Sequence, residues 1–396
     1  MEWSPQQANA LDAIKRWHDD GPMRPFVLHG YAGTGKTTIA RHIAETIGGD
    51  VPFCAFTGKA ASVLRRKGCS TATTIHQLIY QPKVRSRARL RELQEELAKH
   101  REDGSDEWLL MQLQRQVDEE RRILDQPLFS KLEESAISTA SVVIVDECSM
   151  VDERIGSDLA SFGVPIIALG DPGQLPPVGG RPYFSREPDV MLDEIHRQAK
   201  DNPIIHLATL ARRGAHIPFG EYGSSRVLPW GSMDADEAIA HDQILVGRNK
   251  TRHASNQRVR EILGFSGELP SVNERLVCLR NNHDIGLMNG STWTVDDVVG
   301  VPGCDIFSMS IRDPDFPGEQ HLVEAYVAPF RGERLPFWEK DAELFEFGYA
   351  LTVHKSQGSE WKDVLVFDES SVFRGDAPKH LYTAITRASE RVTLVL

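Results

Sequence analysis

The stretch "GYAGTGKT", Gly30 to Thr37, constrains this chain more than any other. It fits GxxxxGK[ST], it follows an apolar run "PFVLHG" suited to a buried strand, and it opens the helix-like "KTTIARHIAETIG", ended by Gly48. Strand, glycine-rich turn and helix in that order make a phosphate-binding loop. Glycines let backbone N–H groups wrap a phosphate, and the helix N-terminus adds partial positive charge. The residues assigned to that cradle are Gly30, Gly33, Thr34, Gly35, Lys36, Thr37 and Thr38. Lys36 reaches the β and γ phosphates of ATP, and Thr37 holds Mg2+.

The loop needs an acid partner. "SVVIVDE" is a β-branched run ending in Asp146 and Glu147. Asp146 completes the metal shell, and Glu147 is placed to polarise water as a general base. An acid pair after a strand is by itself a solvated end; beside the loop it becomes a nucleotide-hydrolysis site. Gln7 in "SPQQANAL" has two readings: an amide that pairs with adenine, or a polar residue in the first turn of a helix.

At 396 residues the chain exceeds one ordinary core, so two domains with insertions are expected. Apolar strands such as "VPFCAF" and "VPIIALGD" alternate with helices, which implies parallel sheets covered on both faces, with ligands at the carboxyl ends of the strands. Residues 83–126 are dense in charge. Leu90, Leu93 and Leu97 lie on one helical stripe, and Leu110, Leu113, Val117 and Leu124 on a second, so this segment is expected to form a two-helix arm. Five cations without an acid (Lys83, Arg85, Arg87, Arg89, Arg91) mark its base. Between 273 and 330 the period changes to two, around an Asn289-Gly290 turn, as in a small all-β module.

Composition excludes some classes. Charged residues at 26% and a net charge of −12 fit a globular protein that does not coat nucleic acid, although a local basic track remains compatible. No apolar run approaches membrane-spanning length, and the start has no apolar core for a signal peptide, so a cytoplasmic protein is expected. The five cysteines lack metal spacing and read as free thiols.

"GYAGTGKT", "VDECSM", "GDPGQLPPV", "EIHRQ", "YALTVHKSQGSE" and "LYTAITRA" occur in this order. Together they resemble the superfamily 1 helicases, in particular the RecD-like branch and its phage relatives. The resemblance runs from Gln7 to Arg387 and leaves out only the arm. It implies an α/β fold of two RecA-like motor domains: 1–82 with 127–185, and 186–272 with 341–396. The helical arm at 83–126 interrupts the first, and a small SH3-like β-barrel at 273–340 interrupts the second. The implied activity is an ATP-dependent DNA helicase moving 5′ to 3′ on single strands. The alternative is a strand-stimulated ATPase that remodels protein–DNA complexes or serves as a subunit of a recombination or replication machine.

Residue by residue, the resemblance makes Arg387 and Arg197 cations aimed at the γ-phosphate across the cleft. It makes Gln174 the γ-phosphate sensor, and Gly358 and Glu360 nucleotide contacts from the second domain. Strand contacts fall on Thr57, Lys59, Thr74 and His76 in the first domain, and on Thr352, His354, Lys355, Asn249 and Arg252 in the second. Tyr80 and Trp361 are either stacking platforms or core residues, with core packing preferred for Trp361. The "RRK" run at 65–67 is either a phosphate rail or a solvated helix end. In the barrel, Arg331 and Arg334 are the cations to test. Implied partners are single-stranded and forked DNA, with a replication or recombination protein docking on the arm. The implied setting is a monomer in a bacterial or phage-infected cell.

Overall fold

Continuous apolar runs become the buried strands of two parallel sheets. The computed structural model describes residues 3–396 except 22–23, 83–86, 105, 126–128, 134, 177–180, 195–200, 283–284, 286, 301–303, 315–319, 334 and 336–340. Arg197, Arg334, Lys83 and Arg85 therefore lie outside the described residues, as do the side chains of Arg87, Arg89 and Arg91.

The first sheet has six strands in the order Thr73–Thr74, Phe53–Ala55, Val143–Asp146, Ile166–Gly170, Phe26–Gly30, Val190–Leu192, all parallel. Helices Pro5–Asp19, Lys36–Ile47 and Gly58–Arg66 cover one face, through Ile14, Ile39 and Leu64. Helices Ile75–Ile79 and Glu153–Ala160 cover the other, through Ile75 and Leu159. Burial on both faces explains the absence of polar alternation in these strands. One boundary moves. Val190–Leu192 pairs with Leu28–Gly30, so the first sheet runs past position 185. This three-residue strand is too short to carry a periodicity of its own.

The second sheet runs Ala350–Thr352, Gln243–Val246, Trp361–Phe367, Ala388–Val395, Ser225–Leu228, Gly220–Tyr222, parallel except for the last pair. Helices Pro203–Arg212 and Ala377–Ile385 pack on one face, and helix Asn249–Ile262 lies on the other. Trp361 packs partly buried against the second-domain core, in line with the preferred reading.

The β module is a five-stranded antiparallel sheet ordered Gln320–Tyr326, Ile306–Arg312, Thr292–Val299, Arg275–Cys278, Phe345–Phe347. Its last strand lies beyond position 340, because Leu276 pairs with Phe347. The two edges meet: Ala325 bridges Glu343, which leads into Phe345–Phe347, with the Tyr326 N–H donating to the Glu343 carbonyl at 3.1 Å and the Glu343 N–H to the Glu324 carbonyl at 2.7 Å, so the sheet curls towards a barrel. Trp293, Phe307 and Phe345 share one core with Ile244 and Leu365 of the motor sheet, which fixes the module to the second domain. A buried pair reinforces the joint: Arg260 Nε donates to Glu274 Oε1 at 2.8 Å, with side chains 3% and 0% exposed. Breaking such a pair from one side costs roughly 3–5 kcal/mol.

The arm consists of helices Arg87–Glu102 and Glu107–Asp125, closed by Leu93, Leu97, Leu113 and Val117 as a core of their own. Its base is a short ribbon in which Tyr80–Pro82 pairs antiparallel with Phe129–Lys131. Among the described residues no helix is long and apolar enough to cross a membrane.

Candidate active site

The phosphate loop has the backbone its glycines allow. Gly33 and Gly35 take φ of 80° and 84°, a region that costs a residue with a Cβ. Gly35 caps helix Lys36–Ile47 with no side-chain bond to its first N–H groups, which leaves those donors for an anion. Lys36 Nζ donates to the carbonyls of Gly30 at 2.6 Å and Tyr31 at 3.1 Å, so the ammonium lies over the loop. Gly33, Gly35, Lys36, Thr37 and Thr38 line a cleft of about 400 Å³ between the two domains.

Gly30, Thr34 and Gln7 support the loop from behind and do not line the cleft. A Cβ on Gly30 would meet Thr34 Oγ1 at 2.6 Å. Of its two readings, Gln7 fits the polar residue in the first turn of a helix. It is 3% exposed; its Oε1 accepts the Ser4 N–H at 3.1 Å in a capping box, and its Nε2 donates to the Thr34 carbonyl at 3.1 Å.

Asp146 and Glu147 form the floor. Burial, reinforced by the Glu147 charge, pushes the Asp146 carboxyl up to about 6. Glu147 sits at φ 52°, a left-handed conformation that non-glycine residues adopt at a cost. Its N–H donates to Asp146 Oδ1 at 2.9 Å. Gln174 Nε2 approaches Glu147 Oε1 at 3.4 Å, while the buried Gln174 Oε1 has no partner among the described residues. The two side chains thus present acceptors side by side in the cleft.

The opposite wall comes from the second domain. Arg387 is 5% exposed and lines the cleft. Its three bonds run to neutral oxygens: the Thr383 carbonyl at 3.1 Å, the Ser359 carbonyl at 3.2 Å and Thr386 Oγ1 at 3.2 Å. Its charge is not neutralised by any ion pair among the described residues. Glu360 pairs with Lys67 across the cleft at 2.9 Å, so Lys67 of the "RRK" run is a cross-domain partner. Gly358, at φ 74°, abuts the first domain; a Cβ there would meet Thr57 Oγ1 at 2.8 Å and Ala60 Cβ at 2.9 Å.

A second cavity of about 340 Å³ lies where Thr57 and Lys59 face His354 and Lys355. The structure thus brings together four of the residues read as strand contacts. The other five lie elsewhere. Thr74 is 1% exposed, and its hydroxyl is spent in a capping box with Gln77. Thr352 is 5% exposed and accepts the Lys355 N–H at 3.3 Å. Arg252 is buried and neutralised by Glu346, which also holds Lys355 at 3.1 Å. Asn249 is exposed at the start of its helix, outside the cavity. His76 is half-buried between the rings of Phe56 and Tyr80. The first three are corrections with one cause: a hydroxyl or guanidinium inside a packed domain takes its partners there, because a buried polar group left unpaired is costly, and of Arg252 only Nε lacks one among the described residues. Tyr80 is also a core residue, its hydroxyl bonded to Asp158. On the β module Arg331 is bonded to Glu268 at the surface.

Sequence reasoning passed over two residues that join the domains. Tyr382 Oη donates to Asp171 Oδ2 at 2.6 Å and accepts the N–H of Ala32, in the phosphate loop, at 2.8 Å. The Arg212 guanidinium stacks over the Tyr31 ring, 3.4 Å from its centroid. An aromatic in an apolar helix reads as core, and only the approach of the two domains reveals its polar end.

Residues 2–226 match the family model described as "AAA domain", and residues 347–395 match that described as "UvrD-like helicase C-terminal domain". The chain is 26% identical to the ATP-dependent RecD2 DNA helicase of Deinococcus radiodurans, over 98% of this chain and 48% of that protein. It therefore spans about half the length of that relative. Its fold is similar to that of the Pif1 helicase from Candida albicans, with a TM-score of 0.51 and 17% identity over 100% of this chain and 94% of that one. It is equally similar to the Bacteroides Pif1 helicase in complex with ADP-AlF3 and ssDNA, with a TM-score of 0.52 and 17% identity over 99% of this chain and 92% of that one.

Proposed function

The chain belongs to the family described as "AAA domain", and from that premise we propose that it is an ATP-dependent DNA helicase. The observation that carries the proposal is the cleft itself, with a phosphate loop and an acid pair on one domain and, on the other, Arg387, which pairs with no carboxylate among the described residues. The RecD2 relative and the ssDNA-bound Pif1 fold support DNA as the track and ATP as the fuel.

In this reading the N–H groups of Gly33 to Thr38 cradle the phosphates, and Lys36 exchanges its loop carbonyls for phosphate oxygens. Glu147 and the Gln174 Oε1 accept the O–H groups of the attacking water, and Glu147 takes its proton as the bond to the leaving ADP breaks. Arg387 stabilises the charge that develops on the transferred phosphoryl group. Because it comes from the second domain, hydrolysis is conditional on cleft closure. An arginine in that role is worth on the order of a thousandfold in rate. The Thr37 hydroxyl and Asp146 carboxylate are hard oxygen donors suited to Mg2+, and among the described residues the buried Asp146 makes no ion pair, with Lys36 and Lys67 acting on it only through space. When bound, the metal neutralises charge on the β and γ oxygens. Arg197 retains its expected role as a second cation.

The strand runs through the cavity of Thr57, Lys59, His354 and Lys355, whose polar groups suit phosphates gripped and released in turn. Movement from 5′ to 3′, action as a monomer in a bacterial or phage-infected cytoplasm, and docking of a replication or recombination protein on the arm complete the proposal. The test is ATP-dependent strand displacement from a duplex with a single 5′ tail. Displacement that vanishes in Lys36→Ala supports a helicase of that polarity. Strand-stimulated hydrolysis without displacement would instead favour a translocase that remodels protein–DNA complexes.

A further inference from the structure

The nucleotide cleft and the strand cavity share only Ser359 of their linings, and two rings packed against His354, those of Phe373 and His380, line neither. His354 lines the strand cavity, with its ring centroid 5.4 Å from that of Phe373 and 5.9 Å from that of His380. Phe373 stacks on His380 at 4.1 Å, with the planes 15° apart. His380 is 2% exposed, and neither ring nitrogen has a hydrogen-bond partner among the described residues. Leaving a buried polar group unpaired is costly, and an apolar side chain of similar size would avoid that cost. Burial pushes the imidazole down to about 4, so it is neutral and brings no charge to the stack.

The position of His380 matters more than its charge. It lies on helix Ala377–Ile385, which also carries Tyr382, bonded to the phosphate loop and Asp171. Thr383 Oγ1 on the same helix accepts the Leu175 N–H at 3.0 Å, and Arg387 follows the helix end. A displacement of His380 therefore moves the groups that face the nucleotide.

Resting on the helicase reading, we propose that His380 is a positioning residue. The stack His354–Phe373–His380 passes strand occupancy of the cavity to the helix that sets Tyr382 and Arg387. A phosphate that engages His354 turns its ring. Close-packed rings do not yield one at a time, so Phe373 and His380 shift with it. The unspent nitrogens of His380 are then free to take partners in the shifted arrangement.

The test compares wild type with His380→Leu and Phe373→Leu, which keep apolar volume in the stack. ATP hydrolysis is measured without and with oligo(dT), and oligo(dT) binding by fluorescence anisotropy. The expected result is basal turnover and strand affinity within about threefold of wild type, with the strand-stimulated kcat reduced about tenfold and KM for ATP unchanged. Full stimulation in both variants overturns the proposal. Loss of basal turnover in both also overturns it, since the rings would then serve packing alone. If wild type itself shows no strand stimulation, the helicase reading falls and takes the relay with it. That result is distinct from stimulated wild type with unaffected variants.

Discussion

The hydroxyl of Tyr382 joins the two halves of this protein by donating to Asp171 Oδ2 at 2.6 Å. The same oxygen holds the Ala32 N–H, so one phenol ties the loop that binds phosphate to the strand end that precedes Gln174. Burial raises the pKa of Asp171, and the phenol together with the Gly173 N–H at 2.9 Å offsets part of that cost. Tyr382→Phe keeps the ring against Gly173 and removes only the hydroxyl. The strand-stimulated kcat is expected to fall by about tenfold or more, with a smaller change in KM for ATP. The buried carboxylate and N–H left short of a partner should cost roughly 1–3 kcal/mol in chemical denaturation. Wild-type turnover in this variant would show that the tie is idle in catalysis.

The ion pair of Lys67 with Glu360 spans the cleft, with side chains 47% and 36% exposed. An exposed pair of this kind contributes about 0–1 kcal/mol to stability. Its removal should therefore leave the unfolding midpoint in place and act on closure. Lys67→Glu is expected to weaken binding of a non-hydrolysable ATP analogue by about threefold to tenfold, and the exchange Lys67→Glu with Glu360→Lys to restore most of it. Calorimetric titration of the three variants measures this directly. A double exchange no better than the single one would mean that the charges act separately.

The arm has its own small core and leaves the motor through a two-stranded ribbon. The ribbon keeps its two ends close, so residues 92–124 are replaceable by a short glycine-serine loop. Strand-stimulated ATP hydrolysis is expected to survive at about the wild-type rate, while displacement of a tailed duplex falls by about fivefold or more. Equal displacement with and without the arm would remove it from strand separation.

His380 should leave a mark on the acid stability of the fold. Its folded pKa of about 4 lies below the unfolded value of 6.5, because burial favours the neutral ring. Below pH 6.5 the unfolded chain then binds more protons than the folded one, so stability falls as pH drops from 6.5 towards 4. Burial also lowers the pKa of His29, His253 and His354, and these add to the same limb. The informative quantity is therefore the difference between wild type and His380→Leu. The variant is expected to gain on the order of 2 kcal/mol over wild type between pH 7 and pH 4 in urea titrations. Parallel curves for the two proteins across that range would contradict a buried neutral ring.

Much of the cleft was legible in the chain, for a local reason. The phosphate loop is built within one stretch, its glycines and Lys36 are contiguous, and Asp146 ends the strand that its own apolar run specifies. The strand contacts were less legible. Thr57, Lys59, His354 and Lys355 gather in one cavity, whereas Thr74, Thr352 and Arg252 have the same chemistry in the sequence but find their partners inside the fold. The Thr74 and Thr352 hydroxyls each accept an N–H from three residues on, whereas a guanidinium can be neutralised from a segment remote in the chain. Arg252 and Glu346 are such a pair.

The sequence by itself determined the two parallel sheets, the helical arm, the period-two module and the phosphate loop, because each depends on spacing within a few residues. Only the tertiary structure decided that Tyr382 reaches Ala32, that Lys67 meets Glu360, and that Val190–Leu192 closes the first sheet. These are contacts between segments remote in the chain. Hydrophobic burial sets which faces meet, and the polar groups carried along with those faces pair with what they find there.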